Sequence, residues 1–172
     1  MEHYSVLLNE AIESLNIKED GIYVDATLGL GGHSSKILEK LTTGHLYSFD
    51  EDKMAISFAN ERLSKIGDNY TLIKSNFVNL KSKLEELGVT KIDGIVFDLG
   101  VSSPQIDTAS RGFSFSKDGF LDMRMDTESD LTAQKVVNEY SKEELVNIFF
   151  NYGEEKQSRL IASKIVVKRP IK

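Results

Sequence analysis

Ile22-Tyr-Val-Asp25-Ala-Thr-Leu-Gly29-Leu-Gly31-Gly32-His33 is the stretch on which the reading of this chain turns. Three apolar residues, Ile22 to Val24, end at Asp25, and a glycine-rich turn follows at once. Beyond the turn, Ile37, Leu38 and Leu41 recur on one face of a helical segment. That order of strand, tight turn and helix opens a β-α-β unit. Glycine in the turn lets the backbone bend sharply and approach a ligand closely.

Working outward, the same alternation repeats. Leu46 to Phe49 makes a second strand ending at Asp50, and Ala55, Ile56, Ala59, Leu63 and Ile66 follow at helical spacing. Tyr70 to Ile73 makes a third strand. Phe77, Leu80, Leu84 and Leu87 then mark a crossover helix closed by Gly88. Ile92 to Phe97 makes a fourth strand, ending at Asp98. Upstream, Val6, Leu7, Ala11, Ile12 and Leu15 predict an amphipathic opening helix. The implied fold is α/β, with about four parallel strands and helices on the sheet faces. Sheets of this kind usually have more strands. The fourth strand, the most apolar, would lie at an exposed edge unless later strands or a second copy covered it. The pattern therefore predicts a chain truncated at its C-terminal side, with dimerisation through the exposed edge as the other way of covering it.

After Asp98 the texture changes. Residues 99 to 127 are rich in Gly, Ser and Asp, and a long irregular stretch in a compact domain usually carries function. Beyond it only helices are predicted. Thr132 is placed to cap one, Ser141 with Glu144 has capping-box spacing for the next, and Gly153 separates that from a last helix with Leu160, Ile161 and Ile165. The organisation read from sequence is a β/α domain over 1–104, a functional loop over 105–127 and a helical subdomain over 128–172.

Composition narrows the function class. The chain has 172 residues, 28% of them charged, and no cysteine, which excludes disulfide staples and thiolate metal sites and suits a cytoplasmic setting. No apolar run is long enough to span a bilayer, and the opening Met-Glu-His-Tyr lacks a secretory pattern. The three histidines are scattered and imply no metal cluster. A formal net charge of −6 counts against a protein that coats RNA by neutralising phosphates. An enzyme that reads RNA by shape remains compatible with it. The one basic segment, Lys164, Lys168, Arg169 and Lys172, reads more readily as a solvated helix face and tail than as an RNA contact.

The chemistry follows from placement. Asp25, Asp50, Asn76-Phe77 and Asp98 all fall at the carboxyl ends of predicted strands, where open parallel sheets bind ligands. A nucleoside cofactor needs a carboxylate for its ribose, an apolar face for its base and polar groups for its tail. Asp50, Phe77 and the 31–33 turn supply those types, although a tight β-α turn with a helix-capping Asp would use the same residues. The dinucleotide fingerprint would require glycine where this chain has Ser34, and no G-x-x-x-x-G-K-[ST] phosphate cradle occurs. A phosphate-free cofactor such as S-adenosylmethionine fits better than NAD. The second informative stretch is Asp98-Leu-Gly-Val-Ser102-Ser103-Pro104-Gln105. A cytosine amine is a weak nucleophile because its lone pair is delocalised. Acceptors that favour a pyramidal nitrogen and aim that lone pair, rather than a strong base, are what its alkylation needs. Asp98 and the carbonyls of Ser102, Ser103 and Pro104 are candidates for that catalytic role; Asp98 would serve equally as a cofactor ligand or a loop-shaping residue.

These motifs together resemble the bacterial ribosomal RNA small subunit methyltransferase H family, also called MraW. Its markers here are His3-Tyr-Ser-Val-Leu-Leu-Asn-Glu10, the Asp25–His33 loop and Asp93-Gly-Ile-Val-Phe-Asp-Leu-Gly-Val-Ser-Ser-Pro-Gln105. They continue through Arg111-Gly-Phe-Ser-Phe115, Asp118 to Asp126 and Tyr152-Gly-Glu-Glu155. The resemblance implies a Rossmann-like class I methyltransferase sheet with an inserted helical subdomain, S-adenosylmethionine as methyl donor, and N4 of a cytidine in the decoding region of 16S ribosomal RNA, within the small subunit, as target. It assigns cofactor contacts to Gly31, Gly32, His33, Asp50, Phe77, Asp98 and Gln105. By analogy the 111–126 loop closes the site. Arg111 and Arg124 are then phosphate candidates, and Phe113 and Phe115 would stack on a flipped base; pairing of the arginines with Asp neighbours and anchoring of the loop by the aromatics are the alternatives. Ser5 and Phe120 stand where family members usually carry proline. Family chains run longer and complete the sheet, so a fragment that binds cofactor without catalysing transfer is the second expectation.

Overall fold

The structure, a computed structural model, describes residues 5–171, so His3 and Tyr4 of the opening motif and Lys172 of the basic segment lie outside it. It divides into two compact units, Met1–Ser102 and Ser103–Lys172.

The first unit runs α1 (Leu8–Ser14), β1 (Ile22–Asp25), α2 (Gly32–Leu38), β2 (His45–Asp50), α3 (Lys53–Leu63), β3 (Tyr70–Lys74), α4 (Leu80–Glu86) and β4 (Gly94–Val96). The four strands form one parallel sheet in the order β3-β2-β1-β4, as the alternation of elements predicts. Alternate strand residues point to opposite faces. Tyr23 and Leu46 pack on one face with Ile12 of α1, Ile37 and Leu38 of α2, and Ala59 and Leu63 of α3. Val24 and Phe49 pack on the other with Leu84 of α4 and Val89. Both faces of β1 and β2 are therefore covered, which is why Ile22 to Val24 is continuously apolar and Leu46 to Phe49 is broken only by the small, buried Ser48. Among the described strands β4 pairs only with β1, and so lies at an edge of the sheet.

Several element ends differ from their sequence reading, each for a local reason. β4 is confined to Gly94–Val96, because only Tyr23–Asp25 offers it ladder partners. Its entry is held by Asp93, whose carboxylate accepts from the Ile22 N–H (2.9 Å) and from Lys18 Nζ (3.1 Å). At its exit Phe97 leaves the ladder and meets Phe77 edge-to-face, with ring centroids 5.7 Å apart. Phe77 does not begin the crossover helix. It opens a 3-10 turn, Phe77–Asn79, capped by Asn76 Oδ1 accepting from Val78 N. α4 follows, and Gly88 at φ +78 ends that segment as predicted, while Leu87 stays exposed. α1 starts at Leu8 rather than Val6, leaving Val6 and Leu7 exposed and Ile12 as its buried residue. α3 stops at Leu63, short of Ile66, which is exposed.

In the second unit the stretch read as irregular contains a short helix, α5 (Ser103–Asp107), and a 3-10 turn, Ala109–Arg111. Pro104 suits the first turn of α5, where a missing N–H costs nothing. Helices α6 (Ala133–Glu139), α7 (Lys142–Asn151) and α8 (Ser158–Val167) complete the unit. Both predicted caps are present. Thr132 Oγ1 accepts from Lys135 N at 3.1 Å, and Ser141 and Glu144 form a reciprocal capping box. The buried face of α8 carries small residues, Ser158 and Ala162, and Leu160 is exposed. No described helix is long and apolar enough to cross a membrane.

Candidate functional site

The carboxyl ends of β1, β2 and β4 bring Asp25, Asp50 and Asp98 to one edge of the first unit. The in-register pairs Asp25↔Ser48 and Asp25↔Val96 set that alignment. β3 ends alongside, with Asp50 paired to Lys74 and Ser75 N donating to Asp50 O at 3.0 Å. Asn76 Nδ2 donates to Glu51 Oε1, which fixes the corner that carries Phe77 beside the end of β2. Four positions selected from sequence thus share one edge because parallel strands in register leave their ends no other place.

Asp25 is the best-anchored of the carboxylates. It is 1% exposed; one oxygen accepts from the Thr27 N–H (3.1 Å) and the other from Ser34 Oγ (2.7 Å). Ser34 Oγ also pairs with Ser48 Oγ at 2.8 Å, so one hydroxyl ties α2 to both central strands. Burial pushes the Asp25 carboxyl above its ordinary range, opposed by the hydrogen bonds from Ser34 and Thr27. Ser34 and Ser48 were not singled out from sequence. The signal for Ser34 was its place where a dinucleotide turn would have glycine; Ser48, inside a strand, gave none.

The turn between β1 and α2 is held open by its glycines. Gly31 has φ +76, and a Cβ there would stand 3.2 Å from Ala59 Cβ. A Cβ on Gly32 would collide with Ser5 Oγ, so the chain ahead of α1 rests on this turn, with serine at the position the resemblance marks as usually proline. Asp50 accepts from the Gly29 N–H through Oδ2 and from the Asp52 N–H through Oδ1, each at 2.8 Å. Its carboxyl is pushed up by burial, against backbone hydrogen bonds from Asp52, Gly29 and Glu51. An ionised carboxylate offers about four lone-pair sites, so these donors still leave room to accept from a ligand hydroxyl. Asp52 is itself buried and caps α3 by accepting from Met54 N.

Asp98 follows β4, its N–H donating to Thr27 Oγ1 at 2.7 Å, which moors the exit of β4 to the loop after β1. His33 is buried on α2 with Nδ1 3.9 Å from Asp98 Oδ2. The Phe77–Phe97 pair leaves both rings partly exposed, an apolar surface beside the carboxylates. Carboxylates for hydroxyls, a tight glycine turn for close backbone approach and an aromatic face for a base are the donor set a phosphate-free nucleoside cofactor requires, and the residues fit that group. Among the described residues no group of three or more His, Asp or Glu is arranged to hold a metal ion. An open groove of about 480 Å³ lined by Asn60, Ser64, Gly67, Asp68, Tyr70 and Leu72 lies toward the amino end of β3, away from these carboxylates.

The remaining candidates belong to the second unit. Ser103, Pro104 and Gln105 lie on α5, Gln105 buried. Arg111 is buried, with Nη2 donating to the carbonyls of Arg124 (2.9 Å) and Met125 (3.1 Å). Arg124 grips Asp122 with both Nε (2.8 Å) and Nη2 (2.7 Å), and Nη1 reaches Ser129 O. The Arg124 guanidinium holds the Asp122 carboxyl below its ordinary range. Both arginines thus bind the loop to itself; pairing with an Asp neighbour, the alternative weighed for both, is what Arg124 does with Asp122, whereas Arg111 Nη2 holds backbone carbonyls. Of the two aromatics, Phe113 is half-buried and Phe115 fully exposed.

Known proteins resemble this chain closely. Ribosomal RNA small subunit methyltransferase H of Exiguobacterium sibiricum is 59% identical over 170 residues, covering 99% of this chain and 54% of that protein. The protein of that name from Mycoplasmopsis agalactiae is 55% identical, covering 99% and 57%. The chain spans about half the length of these curated relatives. A crystal structure from Clostridium thermocellum, described as a candidate rRNA methylase, superposes with a TM-score of 0.51 at 23% identity, covering 59% of this chain and 54% of that one, and speaks to the fold alone. The model of the MraW methylase family matches residues 1–172, and the chain belongs to that family.

Proposed function

We propose that this chain binds S-adenosylmethionine and supplies the donor half of a methyltransferase that acts on N4 of a cytidine in the decoding region of 16S ribosomal RNA, in the cytoplasm. The observation that carries the reading is the convergence of the Asp50 carboxylate, the Gly29–Gly31 turn and the Phe77–Phe97 face on one sheet edge. When bound, the cofactor supplies a methyl group made electrophilic by its sulfonium. Asp50 accepts the ribose hydroxyls with the lone pairs its backbone donors leave open. Gly31, Gly32 and His33 let the backbone approach the cofactor's tail, and Phe77 offers the base an apolar face. Asp98, with the carbonyls of Ser102, Ser103 and Pro104, accepts hydrogen bonds from the amine and orients its lone pair. Gln105 completes the cofactor contacts. Arg111 and Arg124 keep the 111–126 loop in shape, and Phe115 is the aromatic free to stack on a base of the RNA.

Calorimetric titration with S-adenosylhomocysteine tests the cofactor assignment. Saturable binding by the chain, abolished in Asp50→Ala, is expected. A folded chain that takes up none of the ligand overturns it. A second reading, cofactor binding without turnover, is favoured by the chain spanning about half the length of its curated relatives. Methyl transfer to isolated small ribosomal subunits separates the two.

A further inference from the structure

His33 stands in a setting that cofactor binding alone does not require. Its imidazole is buried, with a 6% exposed side chain, while Asp98 opposite is 38% exposed. The neighbouring residue on α2, Ser34, is bonded to the buried Asp25, which also feels the charge of His33. Asp98, from the segment after β4, carries the carboxylate that stands closest to the imidazole in this site, and Asp25 from β1 is near enough to feel it electrostatically. One basic ring therefore stands 3.9 Å from a half-exposed carboxylate, next along α2 to the serine that holds a buried one. The 3.9 Å between His33 Nδ1 and Asp98 Oδ2 is too long for a hydrogen bond, and one that tightens on ligand binding is common at catalytic sites.

We propose that His33 is the proton-relay partner of Asp98, so that the positive charge entering with a sulfonium donor ends on the imidazole. The inference rests on the function proposed above. In the transfer, the amine lone pair forms the N–C bond while the electron pair of the S–C bond stays on sulfur, leaving a neutral thioether and a cationic amine. One N–H bond then breaks, its electron pair remaining on nitrogen. The proton passes to Asp98 and from there to His33 Nδ1. An aspartic acid is a poor resting place for a proton near neutral pH, whereas imidazole is the side chain whose charge changes there. The net charge of the site is the same before and after: sulfonium with neutral imidazole becomes thioether with imidazolium. The Asp98 carboxylate beside the ring serves both states. His33 acts through Asp98 and is a positioning residue in this scheme.

The relay predicts a difference between two ligands that activity alone does not reveal. In this scheme sulfonium and imidazolium share the Asp98 carboxylate, so the neutral thioether lets His33 take up a proton that S-adenosylmethionine keeps off. Calorimetry at pH 7 in buffers of different ionisation enthalpy reads proton uptake directly. The expected result is greater uptake with S-adenosylhomocysteine than with S-adenosylmethionine, the difference disappearing in His33→Gln and shrinking in Asp98→Asn. Ring ¹⁵N shifts on the unaltered sequence give a second reading, with His33 identified by elimination using His3→Gln and His45→Gln. Equal proton uptake with the two ligands, a difference that survives His33→Gln, or a His33 ring that reads the same in both complexes overturns the relay while leaving cofactor binding intact. A folded chain that binds neither ligand sinks the cofactor reading, and the relay with it.

Discussion

Removing the Ser34 hydroxyl should weaken the first unit more than its size suggests. The side chains of Asp25, Ser34 and Ser48 are all within 1% of complete burial, and the single Ser34 oxygen joins the other two at 2.7 and 2.8 Å. In Ser34→Ala, Asp25 loses the hydroxyl donor on one oxygen while the Thr27 N–H stays on the other, and Ser48 Oγ loses its bond to Ser34. A hydrogen bond to a charged group contributes about 1.5–3 kcal/mol and a neutral one about 1 kcal/mol, so the variant should lose about 3 kcal/mol. Ser64→Ala, which removes an exposed hydroxyl bonded to Glu61 O at 3.3 Å, is the matched control and should cost under about 0.5 kcal/mol. The assay is urea unfolding followed at the amides of Val24 and Leu46, so that the transition belongs to this sheet. Asp25 adds a pH signature. Its carboxyl is raised by burial, so its contribution to stability is fully present below the unfolded value and lost as pH rises through the folded one. Asp25→Asn keeps an acceptor for Thr27 and a hydrogen-bond partner for Ser34, so it should stabilise the fold at neutral pH and remove that part of the pH dependence. A loss below about 1 kcal/mol in Ser34→Ala, or an Asp25→Asn chain no more stable than the parent at pH 7, would refute the reasoning.

Other consequences are quicker to check. Gly31→Ala meets both a left-handed backbone and Ala59, so it should cost about 2 kcal/mol in urea unfolding and weaken S-adenosylhomocysteine binding in calorimetry, while Gly100→Ala, with open space around it, should change neither. Ser141→Ala dismantles the capping box and should lower the stability of the second unit by about 1 kcal/mol, read from amide exchange in α7. Arg124→Met frees Asp122 and the Ser129 carbonyl, and limited proteolysis should cut the 112–131 segment faster than in the parent. Phe115→Ser removes a fully exposed ring, so thermal stability should stay within about 0.5 kcal/mol while affinity for small-subunit RNA falls; unchanged RNA affinity would remove Phe115 from the proposed interface.

What could be read from the sequence, and what could not, divides along one physical line. β1 and β2 announce themselves because both faces are covered, so every residue from Ile22 to Val24 and from Leu46 to Phe49 is under pressure to be apolar or small. Helix caps are equally legible, since Thr132 and Ser141 bond to groups three residues away. The carboxylates at the strand ends could be placed because topology alone sends Asp25, Asp50 and Asp98 to one edge. What a partner distant in sequence decides was out of reach. Ile92 to Phe97 looks like one strand, yet the ladder stops where Tyr23–Asp25 stops, and Phe97 turns to Phe77, twenty positions earlier in the chain. Arg111 and Arg124 carry the same charge whether they face a phosphate or a carbonyl, and only the folded loop shows Arg111 on the carbonyls of Arg124 and Met125 and Arg124 on Asp122. Ser34, Ser48 and Asp25 meet across 23 residues with no periodicity to betray them. Such contacts join elements whose separate patterns are already satisfied, so the side chains that set a site's electrostatics are the ones sequence patterning constrains least. His33 belongs to that class as well: its motif marks it as a neighbour of the cofactor, but its standing beside Asp98 depends on how α2 packs against the ends of β1 and β4, and on nothing in its own turn.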